Sequence, residues 1–99
     1  MIDERIKEIA DHYGLDSQLS ILQEECAELI QAVSKFRRVD DGSLSLLMEE
    51  MADVEIMLEQ IKYLTNEKFK LPGLSIYDGV DRWKQQKIDR QIVRIEENE

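Results

Sequence analysis

The chain has very little of several residues whose abundance marks common protein classes. Its 99 residues include one cysteine, one proline and four glycines. A single cysteine excludes an internal disulfide, and the only cysteine, Cys26, falls on an apolar helical stripe where a small core residue is expected. With 42% hydrophobic and 35% charged residues, the composition suits a globular, mostly helical protein and argues against disorder.

Long apolar runs are also missing. No segment approaches the length that a membrane-spanning helix needs. Residues 1–14 alternate charged and apolar side chains from the start, unlike a secretory signal peptide. These absences predict a soluble, cytoplasmic protein without a membrane partner.

Acidic residues dominate the charge. The formal net charge is −9, which makes nucleic acid an unsuitable partner. The exception is residues 80–95, which carry five basic and two acidic residues. A basic segment on an acidic protein is therefore available for binding an anion.

Helical periodicity runs through most of the sequence, and no strand pattern is found. We predict helices over residues 2–13, Ser17–Arg38 and Leu44–Asn66, with Asp16 and Ser43 as N-caps and Gly14 as a stop. A last helix is indicated by apolar residues at three- and four-residue steps: Val80, Trp83, Ile88, Ile92 and Ile95. The expected fold is all-α, a compact antiparallel four-helix bundle forming a single domain over residues 1–99. Because a chain this short buries only a modest core, we expect a homo-oligomer, a dimer or a tetramer, to complete it.

Two helices each carry carboxylates beside an apolar stripe. The stripe of the second helix comprises Leu19, Leu22, Cys26, Leu29, Val33 and Phe36, and that of the third comprises Leu47, Met51, Val54, Leu58 and Ile61. Glu25 and Glu28 border the first stripe, and Glu50 and Asp53 border the second in the same way. Helices joined by a short turn pack antiparallel, so these two acidic margins can face each other.

Four carboxylates gathered at an apolar margin repel one another and lose hydration. Either some of them are protonated, or they hold a cation. Oxygen ligands favour a hard ion, with Mg²⁺ the best fit and Mn²⁺ a substitute. The alternative is a solvated helix face, which a single Glu pair at this spacing usually is. A di-iron site is disfavoured because it needs Glu-x-x-His, and Ile9 stands three residues before the only histidine, His12.

The segments "EECAE" at 24–28 and "EMAD" at 50–53 resemble the E-E-x-x-E … E-x-x-D signature of the MazG-like, all-α nucleoside triphosphate pyrophosphohydrolases, whose relatives include the dimeric dUTPases. The resemblance is clear over residues 17–65 and loose elsewhere. It implies an oligomeric helical fold and Mg²⁺-dependent hydrolysis of a (deoxy)nucleoside triphosphate to the monophosphate and pyrophosphate, with house-cleaning of nucleotide pools as a role.

Carried over by position, the resemblance makes Glu25, Glu28, Glu50 and Asp53 the metal ligands. Catalysis would involve Glu24, which would orient or deprotonate the attacking water, together with Glu25. Glu49 has no place in the motif.

The triphosphate also requires cations. Phosphate-binding candidates are found near the end of the second helix and on the last helix: Lys35, Arg37, Arg38, Lys84, Lys87 and Arg90. The basic residues at the end of the second helix are equally well explained by their favourable interaction with the helix dipole. Tyr13, Tyr63 and Trp83 could stack on a nucleobase, although their spacing favours the core.

Two hypotheses of a different kind remain open. The chain could be a non-enzymatic oligomeric regulator or interaction module whose acids face solvent. It could also have kept the fold and the metal while losing activity.

Overall fold

The computed structural model describes residues 2–38 and 43–98. Four helices follow one another along the chain: α1 (Glu4–Tyr13), α2 (Leu15–Arg38), α3 (Ser43–Phe69) and α4 (Ile76–Glu97). Within the described residues there is no strand, which confirms the all-α class. In that same part of the chain, no helix combines the length and the apolar character that crossing a membrane requires.

The first helix ends where the sequence indicates. The Asp3 side chain caps its N-terminus by accepting a hydrogen bond of 2.9 Å from the Arg5 backbone N–H. At the other end Gly14 adopts φ 86°, a left-handed conformation that favours glycine. The predicted N-cap at Asp16 is wrong, because α2 already begins at Leu15. Asp16 instead lies in the first turn, where its charge interacts favourably with the helix dipole.

The third helix is longer than its pattern indicated. Ser43, predicted as a cap, is a buried residue within α3, and the turn predicted before it at residues 39–42 lies outside the described residues. The helix continues to Phe69 rather than ending near Asn66, because the only proline comes later, at position 72. Ser75 then caps α4 by accepting a hydrogen bond from Asp78 N–H at 3.0 Å.

The chain divides into two units, Met1–Thr65 and Asn66–Glu99. In the first unit α2 and α3 run antiparallel, since Gln18 bonds to Gln60 while Glu25 lies beside Glu50. The second unit contains the end of α3 and α4, and the Asn66 side chain accepts a hydrogen bond of 2.9 Å from Ile76 N–H. Packing of all four helices into one compact bundle stays a prediction.

The contact between α2 and α3 follows a seven-residue spacing, as in a helical seam. We call its members the contact line: Gln18, Glu25 and Ala32 on α2, and Ser43, Glu50 and Met57 on α3. Four of the six are at most 5% exposed, and each of the two glutamates has one buried carboxylate oxygen. The helices therefore meet to one side of the predicted apolar stripes rather than along their centres.

The predicted stripes are consequently not the core. Leu19, Val33 and Phe36 on α2 are 41–43% exposed, and Met51 and Leu58 on α3 are 47% and 43% exposed. Ala10, Ala32, Met57 and Tyr63 are the buried hydrophobic residues of the described chain. This core is small even for a chain of 99 residues.

Candidate metal centre

Glu25 and Glu50 face each other across the contact line. Glu25 is seven residues from both Gln18 and Ala32, and Glu50 is seven residues from both Ser43 and Met57. Their neighbours on the line are buried, so the local packing forces two carboxylates into a position that apolar residues normally fill. The register of α2 against α3 brings Glu25 and Glu50 together.

Glu28 joins this pair. Glu25, Glu28 and Glu50 each contribute one carboxylate oxygen to a group whose members all lie within 4.8 Å of one another. Glu25 and Glu50 are half-buried, whereas Glu28 is exposed. Two oxygens of the cluster therefore lie in the helix contact, and the third belongs to a side chain that is open to solvent. An ion or a ligand can enter from that side.

Part of the cluster lacks hydrogen-bond partners. The Oε2 atoms of Glu25 and Glu50 are buried, and neither accepts a hydrogen bond from the described residues. A buried, unpaired carboxylate oxygen is unfavourable because it has lost its hydration without compensation. A proton or a cation would remove this deficit.

The pKa values of Glu25 and Glu50 reflect this burial and the neighbouring negative charges. Burial raises the pKa of Glu25 to about 7, with further increases from the negative charges of Glu28 and Asp53, from close contact with Glu28, and from Glu50. Burial also raises the pKa of Glu50, followed by the charges of Glu28, Asp53 and Glu49. Glu25 therefore binds a proton, or another cation, near neutral pH, and the same causes favour an uncharged or cation-bound Glu50.

Asp53 and Glu24 lie outside the group of three. Asp53 is half-buried and close enough for its charge to raise the pKa of both Glu25 and Glu50. It follows Glu50 by one helical turn, as Glu28 follows Glu25, so the two occupy equivalent positions on their helices. Glu24 is exposed on α2.

The dimensions of the cluster are compatible with one bound ion. Two oxygens on opposite sides of a single ion are separated by about 4.2 Å for Mg²⁺ and about 4.8 Å for Ca²⁺. Separations of up to 4.8 Å among the three oxygens therefore need little adjustment. Acidic clusters also occur without an ion, and here protonation of Glu25 would then relieve the repulsion.

The predicted phosphate-binding residues are all exposed. Lys35 and Arg38 lie in the last turn of α2, together with Arg37, where they also complement the helix dipole. Lys84, Lys87 and Arg90 lie on α4 in the second unit. Lys87 Nζ is 5.9 Å from the centre of the Trp83 ring.

The aromatic residues divide into two groups. Tyr63 is 9% exposed, and its hydroxyl donates a hydrogen bond of 2.8 Å to Asp11, which joins α3 to α1. Core positions predicted for Tyr13 and Trp83 are wrong, since these side chains are 59% and 60% exposed. The apolar neighbours of Trp83 on α4, such as Ile88, are also exposed, so helical spacing alone misassigned both aromatic residues.

The sequence did not lead us to predict one buried polar pair between α2 and α3. Gln18 and Gln60 are 4% and 2% exposed and bond to each other between α2 and α3. The seven-residue recurrence of 18, 25 and 32 could have revealed the line on which Gln18 lies. A hydrophobicity pattern missed it because two of those three positions are polar.

Comparison with models of protein families, with curated protein sequences and with solved structures finds no match for this chain. The likeness to the MazG-like pyrophosphohydrolases therefore rests on the two acidic sequence motifs alone.

Proposed function

We propose that this protein is a Mg²⁺-dependent nucleoside triphosphate pyrophosphohydrolase of the MazG-like type. The observation that carries the proposal is the convergence of Glu25, Glu28 and Glu50 at one point of the contact between α2 and α3. These residues come from both halves of the acidic signature, which lie more than 20 positions apart in the sequence. A solvated helix face gives no reason for two of them to bury unpaired oxygens.

Glu25, Glu28, Glu50 and Asp53 would hold the ion, with Mn²⁺ as a substitute for Mg²⁺. When bound, the ion would neutralise phosphate oxygens and lower the pKa of a coordinated water. Phosphoryl transfer depends mainly on such positioning and charge neutralisation, which a cluster of carboxylates on rigid helices can support.

The hydrolytic step would use water as the nucleophile. Its oxygen would bond to the α-phosphorus while the bond from that phosphorus to the bridging oxygen breaks, releasing pyrophosphate and leaving the monophosphate. Glu24, exposed beside Glu25, would orient this water and accept its proton. Lys35, Arg38, Lys84, Lys87 and Arg90 are the candidates for binding the phosphate tail.

The proposal includes assembly. A compact antiparallel four-helix fold completed by a second or further copies would cover apolar side chains that one chain leaves exposed. A cytoplasmic location would give such an enzyme access to nucleotide pools.

The direct test incubates the full chain with each of the common ribo- and deoxyribonucleoside triphosphates and Mg²⁺, and measures pyrophosphate. Pyrophosphate release from at least one substrate, abolished by EDTA and by Asp53→Asn, supports the proposal. Release of inorganic phosphate without pyrophosphate, or no turnover of any triphosphate, contradicts it. The matched control is Glu55→Gln, since Glu55 is an exposed acid on the same helix.

A non-enzymatic interaction module is the second candidate. The exposed side chains of Leu19, Val33, Phe36, Met51 and Leu58 favour it, because large exposed apolar surfaces mark sites of protein association. Absence of turnover together with stable self-association would favour this function.

A further inference from the structure

A small cleft lies between α1 and α3 in the first unit, and we call it the α1–α3 cleft. It has a volume of about 370 Å³ and is lined by Ile6 and Ile9 of α1, by Ile56 of α3, and by Asp3 and Arg5 at the N-terminal end of α1. Sites for small molecules typically measure about 300 to 1,000 Å³ and combine an apolar lining with a few polar groups. The α1–α3 cleft has both properties.

The isoleucines of the cleft do not belong to the core. Ile9 and Ile56 are 41% and 42% exposed, and Ile6 is half-buried. Ala10, by contrast, is fully buried, so α1 is seated on the first unit through a small residue while its isoleucines stay accessible. Apolar side chains that are gathered around a concavity, rather than scattered singly, are typical of a binding site.

The cleft lies next to the candidate metal centre. Ile56 follows Asp53 by three residues on α3, so the two side chains are neighbours on the helix surface. Glu50 precedes Asp53 by the same step, which separates Glu50 from Ile56 by about 9 Å along the helix axis. The carboxylates and the cleft therefore follow each other along one helix.

Helix α1 runs in the same direction as α3. Near its C-terminal end, Asp11 accepts the hydrogen bond of 2.8 Å from Tyr63, and nearer its N-terminal end Ile6 lines the cleft with Ile56. Residue numbers increase in the same direction on both helices, so the N-terminal end of α1 lies nearest to Asp53. A molecule with phosphate groups at the carboxylates can therefore place its other end in the cleft.

The polar edge of the cleft suits an uncharged group. Arg5 Nε and Nη2 donate hydrogen bonds of 3.1 and 2.7 Å to the Asp3 carboxylate. The hydrogen bonds from Arg5 lower the pKa of Asp3 to about 2, so both groups are ionised at neutral pH and their charges cancel. A guanidinium has five N–H donors, and these two bonds use only two of them. The pair can therefore donate to a ligand oxygen without attracting a second phosphate.

We propose that the α1–α3 cleft binds the base of the nucleoside triphosphate, with the isoleucines against the ring and Arg5 donating to a carbonyl oxygen on its edge. The identity of the ligand rests on the proposed function. The arrangement favours bases with an oxygen at position 6 of the purine, such as guanine and hypoxanthine. Adenine is disfavoured because its amino group at that position is itself a donor.

Kinetics with a matched pair of substrates test the role of Arg5. ITP and ATP differ at position 6 of the purine, and kcat/KM should be about 10-fold or more higher for ITP. In Arg5→Met, which keeps the apolar stem but no donors, the ratio should approach one. Ile56→Ser should raise KM for both substrates, whereas Ile95→Ser, at an exposed residue of α4, should change neither. Equal kcat/KM values in the parent, or a ratio that survives Arg5→Met, overturn the proposal.

Methyl NMR of the full chain tests the location of the base without turnover. The ligand is the α,β-methylene analogue of GTP with Mg²⁺, in which the bond that the proposed reaction breaks is replaced. The ring current of the base should shift the carbon-13 methyl signals of Ile6, Ile9 and Ile56, each assigned by its valine variant, and leave Ile95 in place.

The two readouts separate the cleft from the hydrolase activity. Shifted methyls in a protein that never releases pyrophosphate contradict the proposed function and support the cleft. Pyrophosphate release with unmoved methyls of Ile6, Ile9 and Ile56 at millimolar analogue supports the proposed function and overturns the cleft. Shifts confined to Ile88 and Ile92, on the helix that carries Trp83, also overturn it, because they place the base on α4.

Discussion

The side-chain amide of Gln18 donates a hydrogen bond of 2.8 Å to Gln60 across the buried contact between α2 and α3. Gln60 in turn donates to the Met57 sulfur at 3.5 Å. The two glutamines are 42 positions apart and almost completely buried, so their pairing fixes the register of α2 against α3. In that register Glu25 is opposite Glu50.

Breaking the pair should cost stability. Gln60→Ala leaves the Gln18 amide buried without its partner and should lower the free energy of unfolding by about 2 kcal/mol. Replacing both residues by leucine removes both polar groups and should be nearly neutral. Urea unfolding measures both effects, with Gln86→Ala on exposed α4 as the control. Equal stability of Gln60→Ala and the parent would show that the pair contributes little.

A divalent cation should stabilise the folded protein. An ion that binds only the native state at 100 times its Kd raises the free energy of unfolding by about 2.7 kcal/mol. Thermal unfolding with Mg²⁺, Mn²⁺ or Ca²⁺ should therefore shift to higher temperature, and Glu50→Gln should lose most of the shift. NaCl at matched ionic strength controls for screening of the acidic surface. Identical melting curves with all three ions and with NaCl would contradict a metal site.

Removing one ligand charge should separate function from stability. Asp53→Asn, Glu25→Gln, Glu28→Gln and Glu50→Gln should each reduce pyrophosphate release by about 100-fold or more, as expected when an ion-binding group is lost. Stability without metal should hold or increase, because repulsion within the cluster decreases. Neither property should change in Glu55→Gln. Glu59 is a poorer control because it pairs with Lys62 at 3.0 Å. An Asp53→Asn protein with parental turnover would remove Asp53 from the site.

The metal-free protein should lose stability as the pH rises. The folded state holds the Glu25 proton to a pKa of about 7, whereas an unfolded glutamate has a pKa of about 4.3. The contribution of this proton to stability is complete below the lower value and is lost as the pH passes through the higher one. Urea unfolding in EDTA between pH 4 and pH 8 should show a shallower decline in Glu25→Gln than in the parent. Parallel profiles for the two proteins would mean that Glu25 titrates normally.

Much of this architecture is determined by the sequence alone. Helical periodicity with one proline defines four helices, and Gly14 ends the first of them at the predicted place. The equal offsets of the two carboxylate pairs from their stripes also predicted that Glu25, Glu28, Glu50 and Asp53 would face each other. Three of them, Glu25, Glu28 and Glu50, have carboxylate oxygens within 4.8 Å of one another. These features are local, since they depend on turns of a single helix and on the short connection between α2 and α3.

The tertiary structure decided which line of each helix is buried. Hydrophobicity favoured the apolar stripes, but α2 and α3 meet along positions that include Gln18, Glu25 and Glu50, and the stripes stay exposed or half-buried. The choice depends on pairing across the contact, where Ala32 and Ser43 are small and buried and Gln18 bonds to Gln60. The hydrophobic periodicity of one helix cannot reveal that complementarity, because the complementarity arises only when two particular surfaces meet. The burial that raises the pKa of Glu25 has the same origin.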